Sequence, residues 1–252
     1  MRPLSAVSDD PAARARLADL AERVAQASDC GEVQALLHLA TVTLGAQRSF
    51  FASISGEGRD RSYAFVLDCD PGWWHRYRAT APLPRNPWLA YAERHSMPIR
   101  VTQLRPWPSE DRGAPNLPAD EGFESAVLVP AHSGQADHRA SVLCLGHSAT
   151  GYFEDRAFAK LQVGVRSFAM ELHDWWTRHE QQQLAQRTRL SDADVRLLER
   201  HCAGLSSKQI ANELHVSRAS INSRFQRIGA RLGVRNRRAA ARVAVECGLL
   251  IM

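Results

Sequence analysis

Hydrophobic and polar positions along the chain alternate between helix-like and strand-like spacing. In the first two thirds, apolar residues recur every three or four positions in some runs, which predicts helices, and cluster in short runs elsewhere, which predicts strands. The helical runs lie at 11–27, 31–44, 71–79, 87–94 and from about 153 to beyond 176. The strand-like runs lie at 49–55, 62–67, 125–130 and 140–146. Residues 102–121, rich in Pro, Gly and acidic residues, predict an irregular loop.

Beyond residue 190 the spacing is helical only. A polar stretch at 179–189 predicts an interdomain linker. The four helices predicted after it lie at 192–203, 206–214, 218–232 and 237–246. Helices that precede and follow a meander of strands predict an α/β/α sandwich. We therefore expect an α+β protein, with the sandwich domain at 1–178 and an all-α, four-helix helix-turn-helix domain at 190–252.

Positive charge is concentrated in the C-terminal quarter of the chain. Residues 186–252 contain 13 Lys and Arg against 5 Asp and Glu, whereas the whole chain contains 32 against 27. A basic domain attached to a slightly acidic one indicates a polyanionic partner, and nucleic acid is the commonest polyanion in the cytoplasm.

Several other classes of protein are disfavoured. The five cysteines are scattered without a C-x-x-C pair, so neither a disulfide framework nor a metal site is expected. No P-loop, G-x-S-x-G or H-E-x-x-H motif is present, so we expect no enzyme and no cofactor. The apolar runs are too short to span a bilayer, and the N-terminus lacks the apolar core of a secretory signal. We therefore expect a cytoplasmic protein with no membrane partner.

The third of the C-terminal helices has two contrasting sides. Ile221, Phe225, Ile228 and Leu232 recur at helical spacing and form an apolar stripe that must pack inward. The opposite side carries no acid and only small or hydrogen-bonding side chains, so it can approach base edges in a major groove. Basic residues surround it, where phosphates would lie. The residues expected to contact DNA are Asn222, Ser223, Gln226, Arg227, Lys208, Arg218, Arg224 and Arg235.

At these residues the chain resembles the LuxR-type helix-turn-helix family. The shared features include Gly204, the Ile210-Ala211 pair, Ser217, the Leu232-Gly233-Val234 run and the Asn236-Arg237 pair. The resemblance covers about a quarter of the chain and implies base contacts from the positions of Asn222, Ser223 and Gln226. It implies a transcription factor that binds a palindromic site in double-stranded DNA as a homodimer.

The N-terminal domain more faintly resembles the autoinducer-binding domain of quorum-sensing LuxR-type regulators. The order of elements agrees, Trp73 and Tyr77 keep the family's spacing, and Asn86-Pro87 follows nine residues after Tyr77. The resemblance implies a domain for ligand sensing and dimerisation, with a ligand site that includes Trp73, Tyr77, Asn86, Val101 and Ala126. Aromatic residues at helical spacing also serve as plain core, and that alternative stays open for Trp73 and Tyr77.

Three of these positions depart from the pattern that binds an acyl-homoserine lactone. Asn86 replaces an aspartate that accepts the amide hydrogen, Val101 replaces a tryptophan that donates to the lactone carbonyl, and Ala126 replaces a glycine. A buried polar group left without its partner costs about 1–3 kcal/mol. Three hypotheses follow: the pocket binds a different small molecule, it is filled by its own side chains, or it binds a lactone through a rearranged network.

Two functions from different classes remain. The first is a homodimeric transcription factor controlled by a small molecule other than a standard lactone, or active without ligand. Its candidate dimer seam is the stripe formed by Leu161, Val165, Phe168, Leu172 and Trp175. The second is an anti-activator that pairs with a related regulator and prevents its DNA binding. The acid-free recognition face favours the first.

Overall fold

A computed structural model describes most of the chain. The described residues are 3–56, 61–70, 72, 83–104, 122–132, 139–154, 156–188, 190–246 and 250. They divide into two compact units, an N-terminal one at Met1–Trp176 and a C-terminal one at Thr177–Met252. No described helix is both long enough and apolar enough to cross a membrane.

The N-terminal unit combines helices with one antiparallel sheet. Its helices are α1 (Leu4–Ser8), α2 (Pro11–Gln26), α3 (Cys30–Thr43), α4 (Pro87–Ala92) and the first part of α5 (Phe158–Thr188). Its strands are β1 (Arg48–Ser55), β2 (Ser62–Asp68), β3 (Ile99–Arg100), β4 (Ser125–Ala131) and β5 (Ala140–His147). Short polar residues start the helices, since Asp10 and Asp29 accept backbone N–H bonds in the first turns of α2 and α3 at 2.9 Å.

The five strands follow the order β2-β1-β5-β4-β3, and every neighbouring pair is antiparallel. Strands β4 and β5 are buried along their whole length. This explains why they read as continuous apolar runs, since both faces of the sheet are covered. Alternate residues of each strand therefore enter two different cores, here called core A and core B.

Core A lies between the sheet and helices α2, α3 and α5. It contains Phe51 and Leu143 from opposite positions of β1 and β5. The stripe on α5 that was predicted as a dimer seam also lies here. Its members Leu161, Val165, Phe168, Leu172 and Trp175 are at most 4% exposed. That prediction is wrong, because these side chains are already buried inside their own unit.

Core B lies on the other face of the sheet, where α4 packs on β4 and β5. Three aromatic side chains dominate it. The rings of Phe50 and Trp88 stack with centroids 6.0 Å apart, and Phe123 lies within 6.2 Å of both. Gly146 makes room for this group, because a Cβ there would meet the Phe123 ring at 2.3 Å.

The C-terminal unit contains four further helices. They are α6 (Asp192–Cys202), α7 (Ser207–Glu213), α8 (Arg218–Leu232) and α9 (Arg237–Glu246). Ser191, Ser206 and Ser217 cap the first three of these helices through their side chains. Gly233 ends α8 in the left-handed conformation, with φ of 70°. Leu198, Ile210, Ile221 and other apolar residues form a separate core for this unit.

The predicted fold class is confirmed, and the predicted strands are found with ends shifted by one residue at most. One stretch differs from its predicted secondary structure. Residues 179–188, predicted as part of a linker, continue the helix α5. The short elements α1 and β3 were not predicted. The helix predicted at 71–79, apart from Gly72, lies outside the described residues.

Candidate DNA interface and candidate ligand site

The turn between α7 and α8 is as tight as helix-turn-helix geometry requires. The Val216 backbone N–H donates to the carbonyl oxygen of Ala211 at 3.0 Å and closes the end of α7. His215 adopts a φ of 52°, in the left-handed region. Ser217 then accepts the N–H of Ser220 at 3.1 Å, which starts α8 immediately.

Helix α8 buries one side and exposes the other, as its apolar spacing predicts. Ile221, Phe225 and Ile228 are buried in the C-terminal core. Ser223, Gln226 and Arg227 are exposed, whereas Asn222 and Arg224 are half-buried at the flanks of the stripe. The exposed side is therefore the one expected to meet DNA.

The basic residues predicted to surround this side are also at the surface. Lys208 on α7, Arg218 at the start of α8 and Arg235 after its end are all exposed. Asn222, Gln226 and Arg235 line one open cleft of about 830 Å³ beside α8. The structure thus brings these three predicted residues to a common surface.

No acidic residue lies between Glu213 and Glu246 in the sequence. Two of the four acids in the preceding helices, Glu213 and Asp194, are paired with arginines. Glu213 accepts a hydrogen bond from Arg200 at 2.9 Å, and Asp194 accepts one from Arg231 at 3.0 Å. Helix α8 itself therefore carries no acidic residue that would repel a phosphate backbone.

Arg237 joins this site although sequence reasoning did not select it. Its guanidinium donates from Nη2 to Oδ1 of Asn222 at 2.7 Å and from Nη1 to the Ser207 hydroxyl, and it lies 4.5 Å from the centroid of the Phe225 ring. The only signal in the sequence was the Asn236-Arg237 pair of the family resemblance. Burial, together with the positive charges of Arg237 and Arg238, lowers the pKa of the nearby His201.

The second predicted site lies at core B. Asn86 is buried, and its side-chain oxygen accepts the N–H groups of Trp88 at 2.9 Å and Leu89 at 3.2 Å. Asn86 is thus the N-cap of α4, with Pro87 at the first helical position. An Asn directly before Pro is a known sequence signal for a helix start, so this role could have been found from sequence.

Val101 and Ala126 are brought close together, as expected for residues of one site. The preceding Arg100 pairs with Val127 across β3 and β4, so Val101 follows next to the position of Ala126. Both contribute to core B, Ala126 fully and Val101 partly buried. Trp73 and Tyr77 lie outside the described residues, so their part in the predicted site stays a prediction.

Core B also contains a buried polar atom, the Tyr63 hydroxyl. Within the described part of the chain, this hydroxyl makes no hydrogen bond. The aromatic group of core B is closely packed, since Phe50 and Trp88 are each 2% exposed and Phe123 is 5% exposed. The part of core B next to Asn86 and Ala126 is thus filled largely by aromatic side chains.

Comparison with known proteins supports the two-unit description. Residues 188–244 match the family model "Bacterial regulatory proteins, luxR family". No curated protein sequence matches the chain. The C-terminal unit is therefore a LuxR-type helix-turn-helix domain.

Solved structures share the fold at low sequence identity. SdiA in complex with octanoyl-rac-glycerol superposes with a TM-score of 0.71 at 14% identity, covering 93% of this chain and 95% of that one. A crystal structure of Escherichia coli SdiA gives 0.69 at 16% identity, over 91% and 95%. CepR2 from Burkholderia cenocepacia, an N-acylhomoserine lactone dependent LuxR family transcription factor, gives 0.51 at 15% identity, over 65% and 95%. At such identities the likeness concerns the fold alone.

Proposed function

We propose that this protein, a LuxR-type DNA-binding transcriptional regulator, acts as a homodimer on a palindromic DNA site. The observation that carries the proposal is the exposed, acid-free side of α8 within a helix-turn-helix domain. Helix α8 enters the major groove, where Asn222, Ser223 and Gln226 contact base edges. The surrounding basic side chains contact phosphates and fix the register of the domain on the duplex.

Dimerisation follows from the small size of this interface. One helix-turn-helix offers few base contacts, and the usual remedy is a two-fold symmetric pair that binds two half-sites one helical turn apart. The buried stripe of α5 is not available for this contact, because it belongs to core A. The dimer therefore uses other residues.

The small molecule that controls the protein, if one is needed, differs from a standard acyl-homoserine lactone. An aspartate has two oxygens and can cap a helix with one while accepting a ligand bond with the other. Asn86 has one oxygen, and that oxygen already accepts two N–H bonds of α4. Val101 offers no donor. Two hydrogen bonds expected for the lactone therefore have no counterpart here.

Two of the three sequence hypotheses gain support from core B. The aromatic group of Phe50, Trp88 and Phe123 supports a site filled by the protein's own side chains. The Tyr63 hydroxyl favours a ligand that combines an apolar body with a hydrogen-bonding group. Octanoyl-glycerol, which is bound in the SdiA structure, combines an apolar acyl chain with an ester and two hydroxyls and is a suitable probe.

DNA binding is tested with the purified, ligand-free protein and a pool of genomic fragments over a salt series. Enrichment of a palindromic site is expected, and the Asn222→Ala/Gln226→Ala variant should lose this selectivity. Arg196→Ala is a matched control, since Arg196 is exposed on α6 and is not among the predicted contacts. Folded protein without selective binding would instead support the anti-activator function, in which the chain pairs with a related regulator.

Ligand preference is tested by thermal unfolding with octanoyl-glycerol and with an octanoyl-homoserine lactone. A ligand that binds the folded state raises the unfolding temperature as its concentration rises. We expect no shift with the lactone for the natural protein and a shift for Asn86→Asp, which regains a second oxygen. If the lactone strongly raises the unfolding temperature of the natural protein, which has Asn86, the proposal that the site does not accept a standard lactone is contradicted.

A further inference from the structure

We propose that Arg237 is a positioning residue that fixes Asn222 as a hydrogen-bond donor toward DNA. Asn222 would then select bases that present acceptors in the major groove. This inference rests on the proposed function, because it assumes that α8 lies in that groove.

The orientation of the Asn222 amide follows from the chemistry of its partner. A guanidinium has only donors, so the Asn222 atom 2.7 Å from Nη2 of Arg237 must be the oxygen. The NH2 group of Asn222 therefore points away from Arg237. Among the residues that the structure describes, no other hydrogen bond involves the Asn222 side chain. Its two N–H donors remain available at the cleft that it shares with Gln226.

Arg237 can impose this orientation because it is itself held from three sides. Besides Asn222, it contacts the Ser207 hydroxyl and lies over the Phe225 ring at 4.5 Å. These partners come from α7 and α8, whereas Arg237 begins α9. A cation over an aromatic face adds to the hydrogen bonds. The amide is thus oriented before DNA arrives, which lowers the entropic cost of making a specific contact.

The consequence is a restricted base preference. A bidentate contact from asparagine to adenine needs the oxygen to accept from N6 and the NH2 to donate to N7. Because Arg237 holds the oxygen side of the amide toward itself, Asn222 presents its NH2 group, and therefore donors, to the groove. These donors suit guanine, with acceptors at O6 and N7, or thymine, with an acceptor at O4. One good base contact discriminates by about 10-fold or more.

The test is a selection from randomised DNA sites with the full-length protein at one salt concentration. We expect one position in each half-site to prefer guanine or thymine. Arg237→Met, which keeps an unbranched side chain but removes the guanidinium, should relax that preference about 10-fold and admit adenine. Arg238→Met is the matched control, because it removes a neighbouring exposed charge. It should weaken binding to all sequences equally.

A second variant keeps the test decisive if Arg237→Met does not fold. Asn222→Asp retains an oxygen for Arg237 but replaces the donors by an acceptor. The preference at the same position should then move to cytosine, whose N4 group donates. An unchanged base profile in Arg237→Met, or in Asn222→Asp, overturns the inference while leaving the proposed function intact. If the natural protein binds no DNA sequence selectively, both this inference and the proposed function are wrong.

Discussion

At Gly229, the sign of the stability change caused by substitution to alanine can be worked out from two opposing effects. An alanine in the middle of a helix is ordinarily favourable over glycine by about 0.5–1 kcal/mol. At Gly229, however, an added Cβ would lie 2.8 Å from the carbonyl oxygen of Val234. That distance is shorter than an ordinary contact, and the neighbour is backbone and cannot rotate away.

The turn after α8 has little freedom to relieve this contact. The Val234 N–H donates to the carbonyl oxygen of Gly229 at 2.8 Å, so a shift of the turn lengthens that bond. Overpacking of this kind costs about 1–3 kcal/mol. Subtracting the gain in helix propensity leaves a range of about 0–2.5 kcal/mol, and near its middle we expect Gly229→Ala to destabilise the C-terminal unit by about 1 kcal/mol. The same shift would displace Arg237, three residues later, and weaken DNA binding.

The two units can be monitored separately in the intact chain. All six tryptophans lie in residues 1–176, so tryptophan fluorescence follows the N-terminal unit, whereas circular dichroism also follows the helical C-terminal unit. Gly229→Ala should lower the unfolding transition seen by circular dichroism and leave the fluorescence transition in place. Ala230→Gly, an exchange at an exposed neighbour, calibrates the propensity effect. If Gly229→Ala is as stable as the natural protein, the turn yields at no cost and the reasoning is refuted.

Three further perturbations have expected outcomes. Ser217→Ala removes the N-cap of α8 and should destabilise the C-terminal unit by about 1 kcal/mol in urea unfolding, with Ser223→Ala as an exposed control. Tyr63→Phe removes a buried hydroxyl that has no partner, so the free energy of unfolding should stay equal or rise by about 1 kcal/mol; a clear loss would show that the hydroxyl is satisfied. Burial lowers the pKa of His147 below its usual 6.5, so the unfolded chain binds the proton more readily. The stability it contributes is complete above pH 6.5 and decreases as the pH falls below that value. Urea unfolding followed by tryptophan fluorescence at pH 7.5 and 5.5 checks this sign, and His147→Gln should flatten the dependence.

Local signals explain why the helix-turn-helix domain could be predicted so fully from sequence. Its helices start at serines and its recognition helix ends at a glycine, and these effects act within a few residues. The apolar stripe of α8 also selects a single inward side. The interaction between Asn222 and Arg237 is different, because it joins residues 15 positions apart. Periodicity along one helix contains no information on such a pair.

The N-terminal unit was harder to predict from its sequence. The strands were visible as apolar runs, but the runs alone could not say which residues enter which core. The stripe on α5 illustrates this limit, because a surface seam and an internal core need the same spacing. The end of α5 was missed for a related reason. A polar helix without a buried side has no apolar period, yet Phe158–Thr188 is helical throughout, and whether residues 179–189 link the two domains stays a prediction.

The role of Asn86 connects the fold of the N-terminal unit to the ligand preference proposed for it. A residue that starts a buried helix cannot be exchanged freely, so the position must keep a side-chain acceptor whatever the ligand is. Asparagine and aspartate both meet that structural need, but only aspartate leaves a second oxygen for a ligand. An asparagine at this position therefore keeps the cap of α4, and under the proposed function it lacks the second oxygen that would contact a ligand. On that proposal, one position accounts both for a fold shared with SdiA and CepR2 and for a site that does not suit a standard acyl-homoserine lactone.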